Sequence, residues 1–128
     1  MKKIYNKLVR DKIPEIIEAE GKKCTYRYLD KNSVEYRRKL ADKLVEEACE
    51  FRDAVYKDDP GYLYEYSDLM SVLVEMHKTF IPGEIESNIL YGTSKMNREE
   101  KGRFDKAIFL EEVEDENLSN WAVWWICR

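Results

Sequence analysis

Five carboxylates stand at helical spacing in the middle of this sequence: Glu46, Glu47 and Glu50, then Glu65 and Asp68. Residues three and four apart share one face of a helix. Glu46-Glu47-x-x-Glu50 therefore puts three carboxylates within one turn, and Glu65-x-x-Asp68 puts two more on one face of the next segment. Crowded carboxylates repel one another, and each ionised group taken out of water costs on the order of several kcal/mol. Protons or cations must offset that cost. Oxygen ligands without His or Cys suit a hard cation, Mg²⁺ first and Mn²⁺ as a substitute. Such an ion completes its shell with water and substrate phosphate, which points to phosphoanhydride or phosphate-ester chemistry. The same acidic run on a solvated face carries no chemistry, so its place relative to the core decides.

That place is read from the helical period. At about 100° per residue from Leu40, an apolar stripe runs through Leu44, Ala48, Phe51 and Val55. Glu47 falls at the edge of this stripe, one turn before Phe51, with Glu50 and Glu46 farther round. On the following segment Val72, Met76, Leu69, Phe80 and Leu73 form an apolar arc that contains Glu65 and borders on Asp68. Two antiparallel helices joined at residues 58–61 would bring the two acidic sets face to face.

Basic residues gather in two places. Lys7, Arg10 and Lys12 precede the first helical stretch, and Lys95, Arg98, Lys101 and Arg103 lie at the end of a later one. Both sets are candidates for binding phosphate oxygens, Arg bidentately. Solubility and complementation of a helix C-terminus account for the same residues without a ligand.

The elements that must position these groups follow from punctuation. Asp11 with Pro14 opens a short helix that Gly21 closes. Asn32 or Ser33 caps a long helix to Tyr56, stopped by Asp58-Asp59-Pro60-Gly61. A second runs from Tyr62 to Phe80 and ends at Pro82-Gly83; a third runs from Glu84 to Lys101 and ends at Gly102. Residues 24–29 (CTYRYL) and 107–113 (AIFLEEV) have strand composition and are expected to pair as a small ribbon. The expected fold is an all-α helical bundle with that two-stranded ribbon.

The 128 residues fit a single domain, 1–128, large enough for a core of its own. With Lys and Arg at 22 against Asp and Glu at 26, the net charge of −4 argues against a nucleic-acid coat. No apolar run spans a bilayer and the start has no signal-peptide pattern, so no membrane partner is expected. Three cysteines without a C-x-x-C pair fit a reduced, cytoplasmic protein. The single His77 excludes a zinc site of two or more histidines. The Trp-rich tail, residues 117–128, carries more apolar area than a free terminus tolerates, and it is expected to pack on the helices or on a second copy.

The pattern Glu46-Glu47-x-x-Glu50 followed by Glu65-x-x-Asp68 resembles the EExxE…ExxD signature of the MazG-like all-α NTP pyrophosphohydrolase superfamily. Residues 5–15, YNKLVRDKIPE, resemble the KLVRDKIPE start of its phosphoribosyl-ATP pyrophosphohydrolase-like subfamily. Residues 26–29 and 104–110 are similar to it as well, so the likeness spans residues 4–113. That subfamily has Arg-Gly-Gly-Phe where this chain has Lys101-Gly102-Arg103-Phe104, and the tail has no counterpart in it. The resemblance implies an α-helical homo-oligomer, a dimer or larger, that uses Mg²⁺ to cleave a nucleoside triphosphate to monophosphate and pyrophosphate. It implies that Glu46, Glu47, Glu50 and Asp68 bind metal and that Glu65 binds metal or positions water, with Glu47 and Glu65 in catalytic roles. Two alternatives stay open: the phosphoribosyl-ATP pyrophosphohydrolase of histidine biosynthesis, and a non-catalytic helical interaction module.

Overall fold

In the computed structural model the described residues are 1–114 and 117–126, apart from the Trp125 side chain. The expectations for Trp125, Cys127 and Arg128 in the tail lie outside them. The described part is all-helical: α1 (Ile13–Ala19), α2 (Val34–Tyr56), α3 (Tyr62–Phe80), α4 (Glu84–Lys101) and α5 (Asn120–Ile126). The chain divides into two compact units, Met1–Leu90 and Tyr91–Arg128.

In the first unit α1 carries Pro14 in its first turn, where the missing N–H is no loss. Gly21 follows it in the left-handed region at φ 75 and donates its N–H to the Glu18 carbonyl at 2.9 Å. Asp11 does not cap this helix; Lys12 holds that position, and its side chain makes no capping bond. For α2 the cap is Ser33, whose Oγ accepts the Tyr36 N–H at 3.1 Å and donates to the Asp30 carbonyl at 2.6 Å. The turn into α3 is tight. Asp58 takes φ 50, which Asp tolerates better than most residues, and Asp59 Oδ1 accepts the Gly61 N–H at 2.8 Å.

Helices α2 and α3 form a packed antiparallel hairpin. The Arg37 guanidinium, early in α2, lies 4.4 Å from the Phe80 ring centre at the end of α3. Phe51, late in α2, meets Tyr66, early in α3, at 5.4 Å between ring centres. Tyr36, Leu40 and Val72 are the buried centre of this seam, with Leu44, Met76 and Phe80 packed around them. Leu8 from the N-terminal segment and Leu29 from the segment after α1 close over the same cluster.

The buried stripe of α2 is rotated from the one read in the sequence. Ala48 and Val55 face outward, whereas Tyr36 and Ala54, about 40° to the other side of Leu40, are buried. Leu73 of α3 is likewise exposed. Small and β-branched apolar residues weigh as core in a periodicity, but the facing helix decides which are covered.

Among the described residues there is no strand, so the ribbon of residues 24–29 and 107–113 does not form. Tyr26 and Tyr28 instead pack edge to face at 6.0 Å and stay exposed, as do Ile108 and Phe109. Strand propensity expresses side-chain packing on a paired, half-buried surface, and these segments lack that surface.

In the second unit Gly102, at φ 81, follows α4 and donates to the Arg98 carbonyl at 3.1 Å. The tail forms α5, in whose first turn the Ala122 N–H donates to Ser119 Oγ at 3.1 Å. Trp121 and Trp124 pack edge to face at 5.7 Å, and both keep exposed surface. No helix of the described residues is long and apolar enough to cross a membrane.

The capping assignment is directly testable. Ser33→Ala should lower the unfolding free energy by about 1 kcal/mol in urea titrations, while Asn32→Ala should stay within about 0.5 kcal/mol of wild type. Equal losses in both would contradict the assignment of Ser33 as the cap.

Candidate metal centre

The rotation of α2 carries Glu47 from the stripe's edge to its middle. At about 20° from Leu40 on the wheel, this carboxylate is packed into the helix seam and is 6% exposed. The antiparallel register sets the first half of α3 against it and brings in Glu65 and Asp68, both half-buried. One carboxylate oxygen from each of Glu47, Glu65 and Asp68 lies within 4.8 Å of the others.

The cations around this cluster come from two sources. Lys43, one turn before the acidic run, places Nζ 3.0 Å from Glu47 Oε1 and 3.2 Å from Glu46 Oε1. The N-terminal segment supplies two more. Lys7 Nζ reaches Glu46 Oε1 at 2.7 Å, and Arg10 Nη2 reaches Asp68 Oδ1 at 2.7 Å and Ser71 Oγ at 3.2 Å. The hydrogen bond from Lys7 pulls Glu46 below the ordinary carboxylate range, against partial desolvation, and Lys43 adds to the effect. Burial opposes the charged form of Lys43, but its bonds to Glu47 and Glu46 outweigh this and hold its pKa above the usual lysine value. Glu50 is solvent-facing, yet desolvation and the negative fields of Glu47, Glu65 and Glu46 push its pKa up.

One group is left over. Glu47 Oε2 is buried and has no hydrogen-bond partner. A buried acceptor without a donor costs about 1–3 kcal/mol, and more when charged. A carboxylate with such an oxygen, beside two further carboxylates from the facing helix, fits a hard divalent cation such as Mg²⁺ or Mn²⁺, which is suited to oxygen ligands.

Of the residues singled out in the sequence, Glu47, Glu65 and Asp68 therefore converge. Glu46 and Glu50 flank them on α2, Glu46 engaged by two lysines. Lys7 and Arg10 lie at the rim through their carboxylate partners. Lys12 begins α1, its carbonyl accepting the Ile16 N–H at 3.0 Å. Lys95, Arg98, Lys101 and Arg103 belong to the second unit. There Lys95 lies 3.9 Å from Glu99, and Arg98 donates to Ser94 Oγ at 2.7 Å. Lys43 and Ser71 are additions that the sequence reading did not make. For Lys43 the signal was present, since it stands three and four residues before Glu46 and Glu47.

Two measurements probe this arrangement. Mn²⁺ at about 100 times its dissociation constant should stabilise the wild-type fold by about 2.7 kcal/mol, a melting shift of several degrees, and Glu47→Gln should remove that shift. An equal Mn²⁺ shift in Glu47→Gln would place the ion elsewhere. In chelated protein, Glu50→Gln should melt higher than wild type near neutral pH. The raised pKa of Glu50 means that its ionised form weighs against the fold, and this penalty fades as pH falls and Glu50 protonates. The advantage of the variant should therefore shrink on acidification toward pH ~4; an advantage that grew instead would reverse the sign argued here. No family model, curated protein or solved structure matches this chain, and the assignment of these residues rests on their geometry.

Proposed function

We propose that this chain is a Mg²⁺-dependent nucleoside triphosphate pyrophosphohydrolase that releases nucleoside monophosphate and pyrophosphate in nucleotide-pool house-cleaning. The observation that carries the reading is the buried Glu47, with its unpartnered Oε2, clustered with Glu65 and Asp68. The reaction class comes from the likeness of the EExxE…ExxD spacing and of residues 5–15 to the MazG-like superfamily. The same likeness makes the working form a homo-oligomer, and three cysteines without a C-x-x-C pair favour the reduced cytoplasm.

In this reading Glu47 and Asp68 hold the cation from facing helices, with Glu46 and Glu50 adding negative charge beside it. A bound divalent ion supplies charge neutralisation at the triphosphate and makes water more acidic. Glu65, set among the ligands, orients the attacking water toward the α–β linkage and accepts its proton. Lys7 and Arg10, with Lys12 close by in sequence, bind phosphate oxygens by charge-assisted hydrogen bonds. Lys95, Arg98, Lys101 and Arg103 remain the second expected phosphate-binding set. Most of the rate then comes from positioning and electrostatics, as in other phosphoryl chemistry.

The test is a panel of nucleoside triphosphates with pyrophosphate detection, with and without Mg²⁺. Glu47→Gln and Asp68→Asn should each lower turnover by at least about 100-fold while the helical circular dichroism stays unchanged. Arg10→Ala should raise KM by about tenfold, the loss of one charge-assisted contact. Full activity in either carboxylate variant at saturating Mg²⁺ would overturn the site. Release of pyrophosphate from no nucleotide, together with no Mg²⁺ binding, would favour a helical interaction module.

A further inference from the structure

Resting on the metal-centre reading above, the geometry points to Lys43 as the residue that selects the cation: its ammonium on Glu47 Oε1 opposes a second cation at that oxygen and so disfavours two-oxygen binding by Glu47, which favours Mg²⁺ and Mn²⁺ over Ca²⁺. Lys43 Nζ lies 3.0 Å from Glu47 Oε1. Its side chain is only 18% exposed and that of Glu47 only 8%. A second contact, 3.2 Å to Glu46 Oε1, anchors the ammonium from the neighbouring residue. Both partners lie one turn along the same helix, so the backbone of α2 fixes the arrangement without help from another element. The other oxygen, Glu47 Oε2, is buried and without a partner.

The consequence is a count of ligand atoms. Mg²⁺ takes six oxygens in a tight octahedron at about 2.0–2.1 Å and is satisfied by single oxygens from one or two carboxylates plus water. Ca²⁺ takes six to eight at about 2.3–2.6 Å and commonly draws both oxygens of a glutamate. A Glu47 whose Oε1 already carries the Lys43 ammonium can give both oxygens only by setting the ion against that ammonium, which strains a largely buried ion pair. Such pairs are costly to break, because the remaining charge stays desolvated. The exposed pairs made by Lys7 and Arg10 impose no comparable restraint. Lys43 is thus a positioning residue acting through Glu47, not a metal ligand.

The test is calorimetric titration of the chelated full chain with MgCl₂, MnCl₂ and CaCl₂ in turn. The wild type should bind Mg²⁺ and Mn²⁺ in preference to Ca²⁺. Lys43→Met and Lys43→Gln remove the ammonium at similar length, and in both the affinity for Ca²⁺ should rise at least tenfold more than that for Mg²⁺. Lys43→Arg keeps a charged donor on Oε1 and should keep the wild-type order. A uniform rise for all three ions in Lys43→Met and Lys43→Gln would mean that only net charge changed, and would overturn the selection role while leaving the metal centre standing. An unchanged ratio of Ca²⁺ to Mg²⁺ affinity in those variants would overturn it equally. A wild type that binds none of the ions would remove the centre itself, and the selection role with it.

Discussion

The burial of Glu47 in the seam between α2 and α3 constrains everything around it. A carboxylate in that position lowers the apolar content of an already small core, in which Tyr36, Leu40 and Val72 are the buried cluster. Replacing it by an apolar residue of similar volume is the kind of change that is often neutral or stabilising. The chain instead surrounds it with further carboxylates and then with cations. Lys43 takes one oxygen of Glu47, Lys7 and Lys43 share Glu46, and Arg10 takes Asp68. The N-terminal segment is drawn into the fold by the same need, since Lys7 reaches α2, Leu8 packs on the core and Arg10 reaches α3.

Much of this was legible in the sequence, for reasons that differ from element to element. The ends of α2, α3 and α4 are written in Ser33, Pro60-Gly61, Pro82-Gly83 and Gly102, residues whose backbone and side-chain chemistry is local. The meeting of Glu47 with Glu65 and Asp68 follows from a connection too short to allow anything but an antiparallel hairpin. The depth of Glu47 was not legible. It depends on the rotation of α2 against α3, which Tyr36 and Ala54 set and which Ala48 and Val55 misrepresent. Lys43 was missed because a lysine on a helix reads as a solvated charge, although its long apolar stem can be buried while its ammonium finds a partner. The ribbon failed for the opposite reason: CTYRYL has strand composition, but composition cannot supply a pairing edge.

The cations around the cluster are not equivalent, and their difference bears on how such a site could work. Arg10 and Asp68 are both substantially exposed, at 62% and 43% of their side chains. A pair of that kind is worth about 0–1 kcal/mol, so its partners can exchange at little cost. Lys43 is largely shielded and bonded to two carboxylates at once. Under the proposed reading the outer cations are therefore free to trade a carboxylate for a phosphate oxygen as a substrate arrives, while the inner one stays in place on Glu47. Under the proposed reading, that division lets one short basic segment neutralise the acidic seam before binding and contact the triphosphate afterwards. It requires no large movement of α2 or α3, whose packing fixes the carboxylates in either condition.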